Sequence, residues 1–186
     1  MTHHRLSLMK SLLFAVCFVA MLAATVCRAA PTGPAIVADR RGNVVGQYFP
    51  AGPKLTTGDF ALLKIEGFRV FLPVSKSGFV QSGLSLLYTA SDCSGTAYLF
   101  VGFGEPQAEP EPLTVVAAGV AGTTLYFPDP TIPTEALTIG SGQGVAADGT
   151  ISGCSSLGSP PPLYSVVPAL KFDLSKLGLV PPFRIR

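Results

Sequence analysis

Two cysteines of this chain stand in polar, turn-like sequence: Cys93, within Ser91-Asp92-Cys93-Ser94-Gly95, and Cys154, within Ser152-Gly153-Cys154-Ser155. Such an isolated pair can be a structural disulfide or a redox couple. There is no Cys-x-x-Cys and no thioredoxin-like alternation of strand and helix patterns, so the pair reads as a structural bridge of the kind found in exported proteins. A Cys93–Cys154 bond closes a loop of about 60 residues, and the chain-entropy argument assigns that closure roughly 4 kcal/mol.

Other constellations carry less. Both histidines, His3 and His4, precede residue 30, so the rest of the chain has no imidazole for Ser-His-Asp or Cys-His catalysis and too few ligands for zinc. Glu105, Glu109 and Glu111 alternate with prolines between Gly104 and Pro112. Calcium wants several oxygen ligands, but the prolines hold these carboxylates extended and solvated, and no Asp-x-Asp-x-Asp-Gly loop accompanies them. No metal or cofactor is expected. Asp92 with a distant Glu would make a carboxylate pair for glycan hydrolysis, whose defining separation is spatial.

Gly140-Ser141-Gly142-Gln143-Gly144 has the composition of a phosphate-cradling loop but lacks the Lys and the following helix, so a flexible turn is expected. Tyr48, Tyr88, Tyr98, Tyr126 and Tyr164 are expected to be mostly half-buried sheet residues; the alternative is a carbohydrate- or partner-facing surface. Asn43, the one asparagine, precedes Val44-Val45 and makes no N-glycosylation signal.

The elements that must position these residues read as short strands. Ala35 to Ala38 and Asn43 to Phe49 flank a turn at Asp39 to Gly42, and Phe60 to Ile65 and Phe68 to Val74 flank Glu66-Gly67. In the latter arm Phe68, Val70 and Leu72 share one face, while Arg69 and Phe71 share the other. Pro73 cannot donate to a ladder and marks an edge or an end. Leu84 to Tyr88 and Thr96 to Phe103 surround Cys93. Leu113 to Ala118 and Thr123 to Phe127 read as a hairpin around Gly119 to Gly122, Ala136 to Ile139 as a strand, Leu163 to Leu174 as another, and Phe183 to Arg186 as the last. No sustained helical repeat appears; the nearest candidate is one turn at Asp173 to Leu177. This is an all-β pattern, a single antiparallel sandwich or barrel-like domain with one disulfide and Pro/Gly-rich loops.

Residues 1–29 read as a secretory signal peptide: Arg5 and Lys10, an apolar run from Ser11 to Val26, and small residues at Cys27 and Ala29. The run is shorter than the roughly 20 residues of a spanning helix, so cleavage near Ala29 is expected, leaving residues 30–186 as one domain with no stable membrane span. All 20 Gly and 17 Pro follow residue 29. Low charge and abundant apolar residues make them turns between strands rather than signs of disorder. The chain carries 13 Lys and Arg against 11 Asp and Glu, and three of the basic residues belong to the leader, so the +2 charge is no nucleic-acid footprint.

At Phe71-Leu72-Pro73-Val74, Gly78-Phe79, Tyr88-Thr89-Ala90-Ser91-Asp92-Cys93-Ser94-Gly95-Thr96 and Phe172-Asp173-Leu174-Ser175 with Val180-Pro181-Pro182-Phe183, the chain resembles a group of exported bacterial proteins of uncharacterised activity. In that group a YTSxDCSGT-like turn follows an LPV…GF strand and the chain ends in DLS…PPF. The resemblance implies an exported β-domain and carries no site residues. The reading is therefore a non-enzymatic β-domain, secreted or periplasmic, with a structural or binding role toward a protein or glycan partner at the bacterial envelope. A small carboxylate-dependent hydrolase acting on glycans is the alternative.

Overall fold

The alternating stretches become strands. The computed structural model describes residues 33–50, 59–103 and 114–186. The leader and the acidic loop with Glu105, Glu109 and Glu111 lie outside the described residues. In chain order the strands are β1 (Ile36–Ala38), β2 (Val44–Phe49), β3 (Asp59–Ile65), β4 (Phe68–Ser75), β5 (Gly78–Phe79), β6 (Leu84–Tyr88), β7 (Tyr98–Phe103) and β8 (Thr114–Val116). They continue as β9 (Gly119–Ala121), β10 (Thr124–Pro128), β11 (Glu135–Thr138), β12 (Ser141–Val145), β13 (Ser155–Ser156), β14 (Leu163–Asp173) and β15 (Arg184–Ile185). Among the described residues the one helical turn, a 3-10 turn at Leu174–Leu177, is capped by the Asp173 side chain.

The strands form two sheets. The first runs β15-β1-β2-β3-β4-β5, with β8 added parallel to β4; the second runs β13-β12-β6-β7-β14-β10-β9, with β11 on β14. The other named pairings are antiparallel, so the fold is all-β. The second sheet curls into a half-barrel: Ser82 N donates to Val120 O at 2.8 Å, and Gly122 N to Ala147 O at 2.8 Å, drawing its two ends together.

Alternation assigns the cores. On β4, Val70, Leu72 and Val74 are buried while Arg69 is exposed, as the period-2 pattern predicts. They pack with Val37, Ala61, Leu63 and Ile65 of the first sheet and with Leu125, Phe127, Leu170 and Phe172 of the second. Tyr126, between Leu125 and Phe127, faces the other way, into a separate core inside the curl with Leu86, Tyr88, Leu99 and Val167. Burying each large apolar side chain contributes about 1.5–3 kcal/mol. Against expectation, Pro73 marks neither an edge nor an end: β4 runs on to Ser75 with β3 on one side and β8 and β5 on the other. Pro73 sits where that second side changes partners, Phe71 O accepting from Ala117 N and Pro73 O from Val80 N, so the missing donor falls in the gap between β8 and β5.

Two further expectations are corrected. Of the expected arm from Leu113 to Ala118, Leu113 lies outside the described residues, and β8 (Thr114–Val116) is not an arm of a hairpin with Thr123 to Phe127. β8 joins the first sheet, the chain crosses at Ala117-Ala118, and β9 supplies the arm for β10. Gly140 to Gly144 is not a flexible turn either. Ser141–Val145 is β12, paired to β6 over five residues and to β13 over two. The glycine there serves close packing: a Cβ on Gly140 would stand 2.7 Å from Thr89 O.

Candidate functional site

The six aspartates fall into two groups. Five accept a hydrogen bond from the backbone N–H two residues on: Asp39 from Arg41 at 2.8 Å, Asp92 from Ser94 at 3.1 Å, Asp129 from Thr131 at 2.9 Å, Asp148 from Thr150 at 2.8 Å and Asp173 from Ser175 at 2.9 Å. These are local turn bonds. Hydrogen bonds from Ser94, Thr150 and Ser175 hold the carboxyls of Asp92, Asp148 and Asp173 below the usual range. Asp92, the sequence's candidate for a catalytic pair, is thus a turn former.

Asp39 goes further. It is only 1% exposed, and burial pushes its carboxyl up. Hydrogen bonds from the Asn43 amide and from the backbone of Val180, Asn43 and Arg41 outweigh burial and bring it below the usual range. The Val180 bond, at 3.1 Å, fixes the C-terminal segment to the β1–β2 turn. From there Phe183 N reaches Lys76 O at 2.9 Å, and the Phe183 ring meets Phe79 edge-on with centroids 5.1 Å apart. β15 then pairs with β1, so the segment crosses the end of the first sheet.

Asp59, the sixth aspartate, opens β3 on the face that Ala61, Leu63 and Ile65 present to the core. It stands opposite Val74 and is half-buried, and its carboxylate accepts from the Tyr48 hydroxyl. Tyr48 reaches this face because of a bulge: Val37 pairs with Gly46 and Ala38 with Val44, leaving Val45 as the extra residue. Val45 and Tyr48, three apart, can then both meet the core. Gly46 makes the close approach possible, since a Cβ there would lie 2.5 Å from Leu62 O. Burial first, then the hydrogen bond to Asp59 and its negative charge, raises the Tyr48 phenol above its ordinary value.

Around this pair lies a cleft of about 320 Å³ lined by Val37, Tyr48, Asp59, Val74, Ser75, Lys76 and residues 183–185. Val37, Val74 and Phe183 form an apolar floor; Lys76, Arg184 and Ile185 are exposed at the rim. The arrangement sets two cationic residues, one carboxylate held by a phenol and a mostly buried apolar floor around a concave cleft on the first sheet, the kind of site that small molecules occupy. Nothing in the sequence analysis singled out Asp59. The signal was there: each turn aspartate is followed by turn-forming sequence, whereas Asp59 leads straight into an inward-facing strand pattern.

The sequence-predicted residues lie elsewhere. Cys93 and Cys154 form the disulfide, with Cα atoms 5.8 Å apart. Ser141, fully buried, anchors the Cys93 turn: its Oγ accepts from Cys93 N at 3.0 Å and donates to Ala90 O at 2.6 Å. Tyr88 and Tyr126 pack inside the curl as expected, Tyr88 donating to Gln143 Oε1 at 3.3 Å and Tyr126 lying 5.6 Å beneath the Lys171 ammonium. Tyr98 and Tyr164 are half-buried on the opposite face, where the Tyr164 ring meets Phe100 edge-on at 5.4 Å. Asn43 braces Asp39.

Among the described residues no three His, Cys, Asp or Glu side chains gather as a metal-ligand group, and no helix is long and apolar enough to cross a membrane. Comparison with protein-family models, curated proteins and solved structures found no match. Fold and site together define a disulfide-tied, two-sheet β-protein with a mixed-charge cleft at one sheet mouth.

Proposed function

We propose that this chain is an exported β-domain that works by binding, at the bacterial envelope or outside the cell, and that the cleft at the mouth of the first sheet is where it binds its protein or glycan partner. The observation that carries this reading is Asp59, on the core-facing side of the start of a core strand, held by Tyr48, in a cleft that Lys76 and Arg184 also line. A polar group on a core-facing position is costly unless it has partners, so its retention at a cleft favours a recognition role. The leader pattern and the disulfide support export. A retaining or inverting glycosidase needs two facing carboxylates; among the described residues lining the cleft, Asp59 is the carboxylate, and Asp92 is held in its own turn. Binding is therefore the better supported of the two readings.

Two measurements test it. Intact mass of the protein from an expressing bacterium's exported fraction, with thiol alkylation before and after reduction, is expected to begin near Ala30 and to gain label only after reduction. A full-length mass with reactive thiols overturns export. Co-sedimentation with isolated envelope fractions is expected for the native chain and to weaken in the Asp59→Asn, Arg184→Gln double variant. Unchanged sedimentation removes the cleft from the proposal.

A further inference from the structure

We propose that the cleft takes a small amphipathic carboxylate with a single negative charge, its carboxylate at Lys76 and Arg184 and its apolar body on Val37, Val74, Phe183 and Ile185. This rests on the cleft being the binding site, as proposed above; it keeps a protein partner, in the form of a peptide's C-terminal carboxylate, and sets a free lipid acid in place of a glycan.

Three features converge on that class. The first is charge. Two cations against one carboxylate leave the lining at +1, and both cationic residues are exposed. Arg184 offers a planar fork that matches a carboxylate with two parallel hydrogen bonds, and Lys76 adds a second, more mobile donor. The second is the floor. Val37 and Phe183 are nearly inaccessible parts of the main core that close the cleft from below, so the exposed apolar contact comes mainly from Ile185, 54% exposed. Surface charge pairing alone is weak, so selective binding needs this apolar contact as well.

The third is Asp59. Its negative charge sits in the cleft with the Tyr48 hydroxyl turned toward it. A second anionic group on the ligand would be repelled, which disfavours dicarboxylates and phosphate monoesters relative to a monocarboxylate. The volume, about 320 Å³, is at the small end of ligand sites, so the cleft suits a compact acid or the terminal portion of a chain. A free acid from lipid and the C-terminal carboxylate of an apolar peptide share this chemistry.

The test is calorimetric titration of the native protein, purified from the fraction in which it accumulates. The probes are decanoate and an N-acetylated apolar dipeptide with a free carboxylate. Decanol, the dipeptide amide and decanedioate are the matched controls. Saturable one-to-one binding of decanoate or of the free-acid dipeptide is expected, and the tighter of the two identifies the source. The neutral analogues should bind about tenfold weaker or less, and Arg184→Gln should weaken the acid by about tenfold. Lys76→Gln should weaken it severalfold, and Lys64→Gln, an exposed lysine of β3 outside the cleft, should leave it unchanged. Decanedioate should bind poorly to the native chain and better to Asp59→Asn. Equal binding of acid and neutral analogue, indifference to both Arg184→Gln and Lys76→Gln, or failure of every probe overturns the inference. If the inference fails while cleft variants still weaken envelope sedimentation, the binding reading stands and only the ligand class falls. If sedimentation is also indifferent, both fall.

Discussion

The turn at Cys93 and the mouth of the first sheet each carry an aspartate beside a strand end, and they use it in opposite ways. Asp92 folds back on its own chain, accepting from Ser94 N, while the disulfide and the buried Ser141 tie the same turn to β12 and to Cys154. Asp59 is met from a neighbouring strand by the Tyr48 hydroxyl and faces a cleft. A carboxylate consumed by its own turn stabilises the chain locally and has little to offer a ligand. One held from across a sheet lines a cleft instead of closing its own turn. The comparison predicts that perturbing the Cys93 end changes stability, whereas perturbing the mouth changes recognition.

The largest expected effect is at the disulfide. Replacing both Cys93 and Cys154 by Ala should lower the free energy of unfolding by about 4 kcal/mol in denaturant titrations. Below the new midpoint, envelope sedimentation should persist, because no cleft residue touches the bridge. Loss of sedimentation while the protein is still folded would mean that the two ends are coupled. Next is Ser141→Ala, which leaves Cys93 N and Ala90 O without their shared partner. A cost of about 1 kcal/mol is expected for leaving those part-buried groups without that partner, again in unfolding titrations. A change within the error of a surface substitution would remove Ser141 as the anchor of the turn.

The same contrast explains what could be read from residue order alone. The β1–β2 and β3–β4 hairpins, the strand at β14, the single turn after Asp173 and the Cys93–Cys154 bond all follow from local pattern or from residue type. β8 and β12 did not. The first pairs in parallel with a strand more than forty residues away, and the second is so glycine-rich that its composition suggests a turn. What marks the β12 stretch is the space around its backbone, as in the close packing of Gly140 on Thr89, and what fixes β8 is a partner distant in the chain. The cleft was hidden for a related reason. Tyr48, Asp59, Lys76 and Arg184 are spread across the chain, and only a bulge at Val45 together with the anchoring of Val180 by Asp39 brings them to one sheet mouth.

Acid distinguishes the two uses of aspartate. The carboxyls of Asp39, Asp92, Asp148 and Asp173 lie below their ordinary range in the folded chain. A lowered folded-state pKa contributes stability that is complete above the unfolded value and is lost as pH falls through the folded one. The melting temperature should therefore hold steady at neutral pH and fall as pH drops through and below the ordinary carboxylate range. In a double Asp92→Asn, Asp148→Asn variant the profile should be flatter over that range and the neutral-pH value slightly lower. A parallel displacement without flattening would mean that these two turns do not carry the acid response.

The smallest expected effect is at Tyr48, where it is the most informative. Burial and the adjoining Asp59 carboxylate both favour the neutral phenol, so its folded pKa lies above the ordinary tyrosine value. The sign is opposite to that of the turn aspartates. Stability from this group is complete below the unfolded phenol pKa and is lost as pH rises through the folded one, where a phenolate would face Asp59. The difference between native and Tyr48→Phe tyrosinate absorbance isolates this one ring from the other four tyrosines. Its titration should lie at higher pH than that of a free tyrosine. In the Asp59→Asn background it should move back down without returning fully, because burial remains when the charge is gone. A return to the ordinary value would assign the whole shift to Asp59; no movement would separate Tyr48 from Asp59 and dissolve the pair on which the cleft is built.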